Sequence, residues 1–186
     1  AWEAEKKPAL IKEAIAKTAL DGSAGSICCI GCAVDDRHAI ANTSSDERGL
    51  IVQFLDWAEK RVEANSYRFP TIVGHNVVNF DLRFIWQRAI VLGIRMPGWF
   101  PRDPKPWGNE CFDTMTAFAG TRNMIGMDRL CEALGLEGKG DIDGSMIGDL
   151  WAAGEHERIA EYCKADVERT REIHRRMMVA YGELAA

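Results

Sequence analysis

Two aspartates in this chain stand where carboxylates can do chemistry. The first, Asp81, closes the stretch Gly74-His75-Asn76-Val77-Val78-Asn79-Phe80-Asp81. That stretch follows a β-branched run, Thr71-Ile72-Val73, and leads into an apolar-periodic segment from Leu82 to Leu92. The pattern reads as the exit of a buried strand into the first turn of a helix. An aspartate there fits two roles. It is either a charge cap at the positive end of the helix dipole, or a metal ligand at the carboxyl end of a strand, where open α/β sheets place their sites. The second aspartate, Asp166, lies in Tyr162-Cys163-Lys164-Ala165-Asp166. Tyr162 precedes it by one helical turn, so the two side chains meet on one helix face. Taken alone, that is an ordinary surface pair.

Considered together, the two stretches imply more. Carboxylates brought close repel each other unless a cation sits between them, and hard divalent ions prefer oxygen ligands. Two such ions ~4 Å apart can clamp the attacking and leaving oxygens of a phosphodiester displacement. Tyr162 beside Asp166 would then hold the attacking water. With an ordinary pKa near ~10, a tyrosine suits that role better than the role of base.

The elements that must position these groups follow from periodicity and punctuation. Ala1 to Ala19 is charged and alanine-rich, and predicts an exposed helix that Gly22 to Gly25 ends, so residues 1–24 stand outside the core. Ile27 to Val34 reads as a buried strand, Asp35-Asp36 as a solvated turn, and His38 to Asn42 as the returning strand. Ser44-x-x-Glu47 has the form of a capping box. Behind it Ile51, Phe54, Leu55, Ala58 and Val62 make one apolar helical stripe. A central strand over Thr71 to Asn76 and a helix over Asp81 to Leu92, stopped by Gly93, come next. Cys111 to Met115 predicts a short strand, and Met127 to Leu134 a short helix closed by Gly135. The loop Gly138 to Ser145 hints at a calcium site but fails as an EF-hand. Met146 stands where that motif needs glycine, and Ala152 where it needs glutamate. The last helix runs from about His156 to Tyr181, with Ile159, Cys163, Val167, Thr170, Ile173 and Met177 as its buried stripe.

Composition narrows the classes further. With 186 residues, 47% hydrophobic and 27% charged, the chain fits one globular domain over 1–186. No apolar run is long enough for a membrane span. A net charge of −5 argues against coating nucleic acid by bulk electrostatics, though not against gripping a few phosphates with the help of metal ions. The chain begins at Ala1 without a methionine, as a fragment of a longer protein would. Six cysteines scattered through apolar segments suit buried thiols in a reducing cytoplasm. Cys29-x-x-Cys32 invites a zinc reading, but residues three apart on a strand point to opposite faces, and no second pair completes a site. From Ile94 to Asn109, four prolines stand among aromatic and basic residues. Such a loop could stack bases; the reading favoured is a hydrophobic flap packed on the domain.

The motifs Gly74-His75-Asn76-x-x-x-Phe80-Asp81 and Tyr162-x-x-x-Asp166 resemble the second and third motifs of DEDD-type 3′–5′ exonucleases, in the branch carrying tyrosine. The similarity extends to stand-alone prokaryotic and phage exonucleases related to the proofreading domain of family B DNA polymerases, over about Gly25 to Met178. It implies an α/β, ribonuclease-H-like mixed sheet flanked by helices. It also implies hydrolysis of single-stranded DNA, with RNA as the other candidate substrate, from the 3′ end, with two Mg²⁺ or Mn²⁺ ions. Asp81 and Asp166 would be metal ligands and Tyr162 the water positioner. His75, Asn76 and Phe80 would meet the 3′-terminal nucleotide, and Lys139 the scissile phosphate. One departure matters: the family's first motif, Asp-x-Glu on the central strand, is absent, so that strand is expected upstream of Ala1. The alternative is a catalytically inactive exonuclease-like module that binds nucleic acid.

Overall fold

Short strands that each turn directly into a hairpin or a helix carry the site. A computed structural model describes residue 10 and residues 17–64, 69–105, 108–138 and 140–185. The helix expected before Ala19 falls mostly outside the described residues, and so does Lys139. Strands β1 (Cys29–Cys32) and β2 (Ile40–Thr43) form an antiparallel hairpin with Cys29 opposite Thr43 and Cys32 opposite Ile40. At its tip Asp35 takes φ +49°, a left-handed conformation that Asp tolerates better than most residues. Strands β3 (Ile72–Gly74) and β4 (Cys111–Asp113) pair in parallel, with Gly74 opposite Asp113. The described residues thus form two separate two-stranded sheets, one antiparallel and one parallel, in an α/β arrangement compatible with an exonuclease fold.

Six α-helices surround them among the described residues. Helix α1 (Glu47–Ala64) buries Leu50, Ile51 and Leu55. Its entry differs from the expected capping box. Asp46 Oδ1 accepts the Gly49 N–H at 3.0 Å, so Asp46 makes the cap. Glu47 is diverted to Arg88, forty-one residues away, whose Nε and Nη2 each lie 2.8 Å from a Glu47 oxygen. Glu47 also accepts the Ile27 N–H at 2.7 Å, and Arg88 Nη1 reaches the Gly22 carbonyl at 3.1 Å. This buried, bidentate pair clamps the approach to β1 onto helix α2 (Asp81–Leu92). The α2 bounds match the sequence reading, and Gly93 closes the helix at φ +63°.

Two short helices escape the periodicity argument because each is too brief to show a stripe: α3 (Thr114–Ala119), directly after β4, and α5 (Ile147–Ala152), after a 3₁₀ turn. Helix α4 (Met127–Ala133) lies between them. Helix α6 (His156–Tyr181) crosses β1, β2 and β3. Its contact with β1 is close: a Cβ added to Gly31 would stand 3.0 Å from the Cys163 carbonyl oxygen. The loop after α2 packs as the favoured flap. Phe100 is buried edge-on to Trp86, whose indole N–H donates to the Pro101 carbonyl at 2.6 Å.

The core is divided. One cluster centres on Ile51, Leu55, Val77, Leu82 and Phe100, a second on Leu130, Cys131, Ile173 and Met177, and a third on Ile142, Leu150 and Ile159. Between β1 and β3 runs a cleft of about 1500 Å³. Its walls are the two strands, α1 residues such as Phe54 and Ala58, and α6 residues such as Cys163 and Val167. Every residue of β1 and β3 is only half-buried, although their sequences, Cys-Ile-Gly-Cys and Ile-Val-Gly, suit interior strands. The backbone explains which way they face. Ser44 N–H donates to the Cys28 carbonyl, so antiparallel alternation turns the peptide groups of Cys29 and Gly31 away from β2 and towards the cleft. Ile72 N–H donates to the Glu110 carbonyl, so Val73 likewise turns its peptide groups away from β4.

Candidate active site

Asp81 is the first residue of α2, directly after Phe80, whose side chain offers no cap. It lines the cleft together with His75, Phe80, Tyr162, Cys163 and Asp166. The charges of Asp113 and Asp166 are near enough to act on it. Burial, followed by those two charges, raises its carboxyl to about 6. Asp81 still keeps exposed surface along the open cleft. Protein crowding thus surrounds a group that solvent can reach from one side.

Asp166 stands across the cleft on α6. Tyr162, one turn earlier, is hydrogen-bonded to it, as the four-residue spacing predicts. Burial and the Asp166 charge push the Tyr162 hydroxyl well above its ordinary pKa. It therefore keeps its proton and donates to Asp166. Arg169 Nη2 lies 2.8 Å from Asp166 Oδ1, while Nη1 reaches the Gly138 carbonyl at 3.3 Å. Between them, Cys163 hydrogen-bonds Cys29 of β1, and that bond, followed by burial, drives its thiol far up. Its role is to fasten α6 to the hairpin. All six cysteines are free, and no zinc-type cluster occurs among the described residues.

The other residues named from sequence divide. Phe80 is partly exposed at the cleft, 5.9 Å from the Phe84 ring. His75 has both ring nitrogens engaged, Nδ1 with the Thr114 hydroxyl at 3.0 Å and Nε2 with the Ile125 carbonyl at 2.9 Å. Because a carbonyl only accepts, Nε2 carries hydrogen. Asn76 does not line the cleft. Its backbone sits at φ +60° and its N–H donates to Asp113. Asp113, 6% exposed, was missed in the sequence reading. Its signal was present: like Asp81, it is an aspartate at the point where a β-type run ends.

Two carboxylates facing one cleft, one of them crowded and pushed towards neutrality by its neighbours, suit a hard divalent cation. The set is sparse, since no cluster of three or more His, Cys, Asp or Glu poised for a metal occurs among the described residues. Asp81 and Asp166 would be the residues to hold such an ion, which would supply Lewis-acid stabilisation there.

An α/β domain with paired aspartates at a strand exit and on a helix face is compatible with a nuclease fold. The chain belongs to the family of predicted 3′–5′ exonucleases related to the exonuclease domain of PolB, whose model matches residues 24–186. Comparison with curated proteins found no match. A nucleic-acid substrate is expected for such a family, and the inactive-module alternative is not favoured by it.

Proposed function

We propose that this protein is a metal-dependent 3′–5′ exonuclease acting on single-stranded DNA, with Asp81 and Asp166 holding Mg²⁺ or Mn²⁺. The observation that carries the reading is the meeting of Asp81 and Asp166 on one cleft with the Tyr162 hydroxyl bonded to Asp166. Bound divalent ions would supply an activated water and charge stabilisation on the phosphoryl oxygens. The chain's own residues do the rest. Tyr162, kept protonated, donates to Asp166 and orients the water beside it. Phe80 offers a ring face to the terminal base. Arg169 fixes the Asp166 carboxylate by charge-assisted hydrogen bonding.

The cleft supports a ribonuclease-H-like sheet completed by one more strand. Strands in a sheet lie ~4.8 Å apart, and the peptide groups of Cys29, Gly31 and Val73 face the cleft as interior strand edges do. A strand that none of the described elements supplies would join the two small sheets and bring further carboxylates to the end where Asp81 lies.

The test is digestion of 3′- and 5′-labelled oligonucleotides, as DNA and as RNA, with added Mg²⁺ or Mn²⁺. Asp81→Asn and Asp166→Asn are expected to lose cleavage almost entirely, and Tyr162→Phe to slow it by roughly 10- to 100-fold. Full activity in Asp166→Asn would reject the metal scheme, and early release of the 5′ label would reject the polarity.

A further inference from the structure

We infer that Asp113 is a positioning residue for this site: its carboxylate sets the turn that delivers Asp81 to the cleft. The inference rests on the exonuclease reading above. Parallel pairing puts Asp113 beside Gly74, so its side chain meets the first residues to leave β3. Asp113 Oδ1 accepts the Asn76 N–H at 2.9 Å and the Met115 N–H at 3.0 Å, while Oδ2 accepts the Val78 N–H at 3.2 Å. Three of its roughly four acceptor positions are thus taken by backbone donors, so it is a brace rather than a free ligand. Hydrogen bonds of this kind to a carboxylate are about twice as strong as neutral ones.

The brace acts where the backbone needs one. Asn76 holds φ +60°, a left-handed conformation that asparagine tolerates better than most residues, and the bond from its N–H to Asp113 helps to fix it there. Past it, the Asn76 carbonyl accepts the Phe80 N–H at 3.0 Å and the Val77 carbonyl accepts the Leu82 N–H at 2.9 Å. Those two bonds straddle Asp81. A continuous path therefore runs from the Asp113 carboxylate through Asn76 and Val78 to the first turn of α2. A second clamp holds the same turn independently, through the Thr114 hydroxyl on the Gly74 carbonyl and the His75 ring on Ile125. Variants at Asp113 should accordingly still fold.

Asp113→Asn keeps the acceptor at one oxygen and places an amide against the Val78 N–H. The expected result is a kcat lower by about 10- to 100-fold, the scale of a misplaced catalytic group, with KM for the oligonucleotide within about twofold. Amide hydrogen exchange at Asn76, Val78, Phe80 and Leu82 should quicken, while exchange in the middle of α6 stays unchanged. A variant with lowered melting temperature but wild-type kcat at 25 °C would reduce Asp113 to a structural role and overturn the inference. Loss of cleavage as complete as in Asp81→Asn, with the four amides unmoved, would make Asp113 a ligand and overturn it too. Should the wild-type protein cut no oligonucleotide, the exonuclease reading fails by itself. The exchange of those amides then decides whether Asp113 sets the turn.

Discussion

The Arg169 guanidinium lies 2.8 Å from the Asp166 carboxylate, three residues earlier on α6, with both side chains largely screened from solvent. A positive charge thus already occupies one side of the group proposed to bind a divalent ion. Attraction to Arg169 holds the Asp166 carboxylate in one orientation, yet it must also oppose an arriving cation. Arg169→Gln is expected to tighten Mn²⁺ binding by roughly three- to tenfold, the effect of removing about 1 kcal/mol of repulsion. Calorimetric titration measures it, and weaker binding would show that orientation outweighs charge.

A pH dependence follows from Asp81. Its carboxyl, raised to about 6 in the folded protein from 3.8, binds a proton more tightly folded than unfolded. Its contribution to stability is full below the unfolded value and is lost as pH rises from about 4 to about 6. Without divalent ions, the melting temperature should fall across that window, and Asp81→Asn should flatten the fall. Mn²⁺ affinity should run the other way, rising up to about pH 6 as the competing proton leaves. Thermal melts with and without Mn²⁺ from pH 4 to 8 check both signs.

The Arg88–Glu47 pair gives a prediction about folding rather than catalysis. Both side chains are close to nine-tenths buried. Removing one partner leaves a buried charge uncompensated, which costs roughly 3–5 kcal/mol. Arg88→Met should lower stability by that amount in urea unfolding, whereas Arg88→Met with Glu47→Leu should recover much of it. A double variant as unstable as the sum of both single changes would contradict the pairing.

The cleft between the sheets can be probed through its edges. Amides of Cys29, Gly31 and Val73 turn towards it, whereas Ile72 donates to Glu110. Hydrogen exchange is expected to be faster at those three than at Ile72, and to slow when an extended strand pairs there. Equal protection at all four would show that the edges are not open.

Much of this protein is written locally. The bounds of α2 and α6 follow from 3.6-residue periodicity and from glycines at φ +63° and +77° just past their ends. The Tyr162–Asp166 contact needs only the helix that carries both, so four-residue spacing was enough to find it. The pairing of Glu47 with Arg88 and of Asp113 with Asn76 was not readable in this way. Each joins residues 37 or more positions apart, and which carboxylate meets which donor depends on the parallel register of β3 and β4 and on how α2 lies against β1. The same holds for Ser44 and Asp46, where the motif fitted a capping box until tertiary contact drew Glu47 away. Local sequence determines which elements form and which side chains share a face. Only packing between distant segments decides which polar groups satisfy one another, because a buried donor takes whatever acceptor the fold brings within reach.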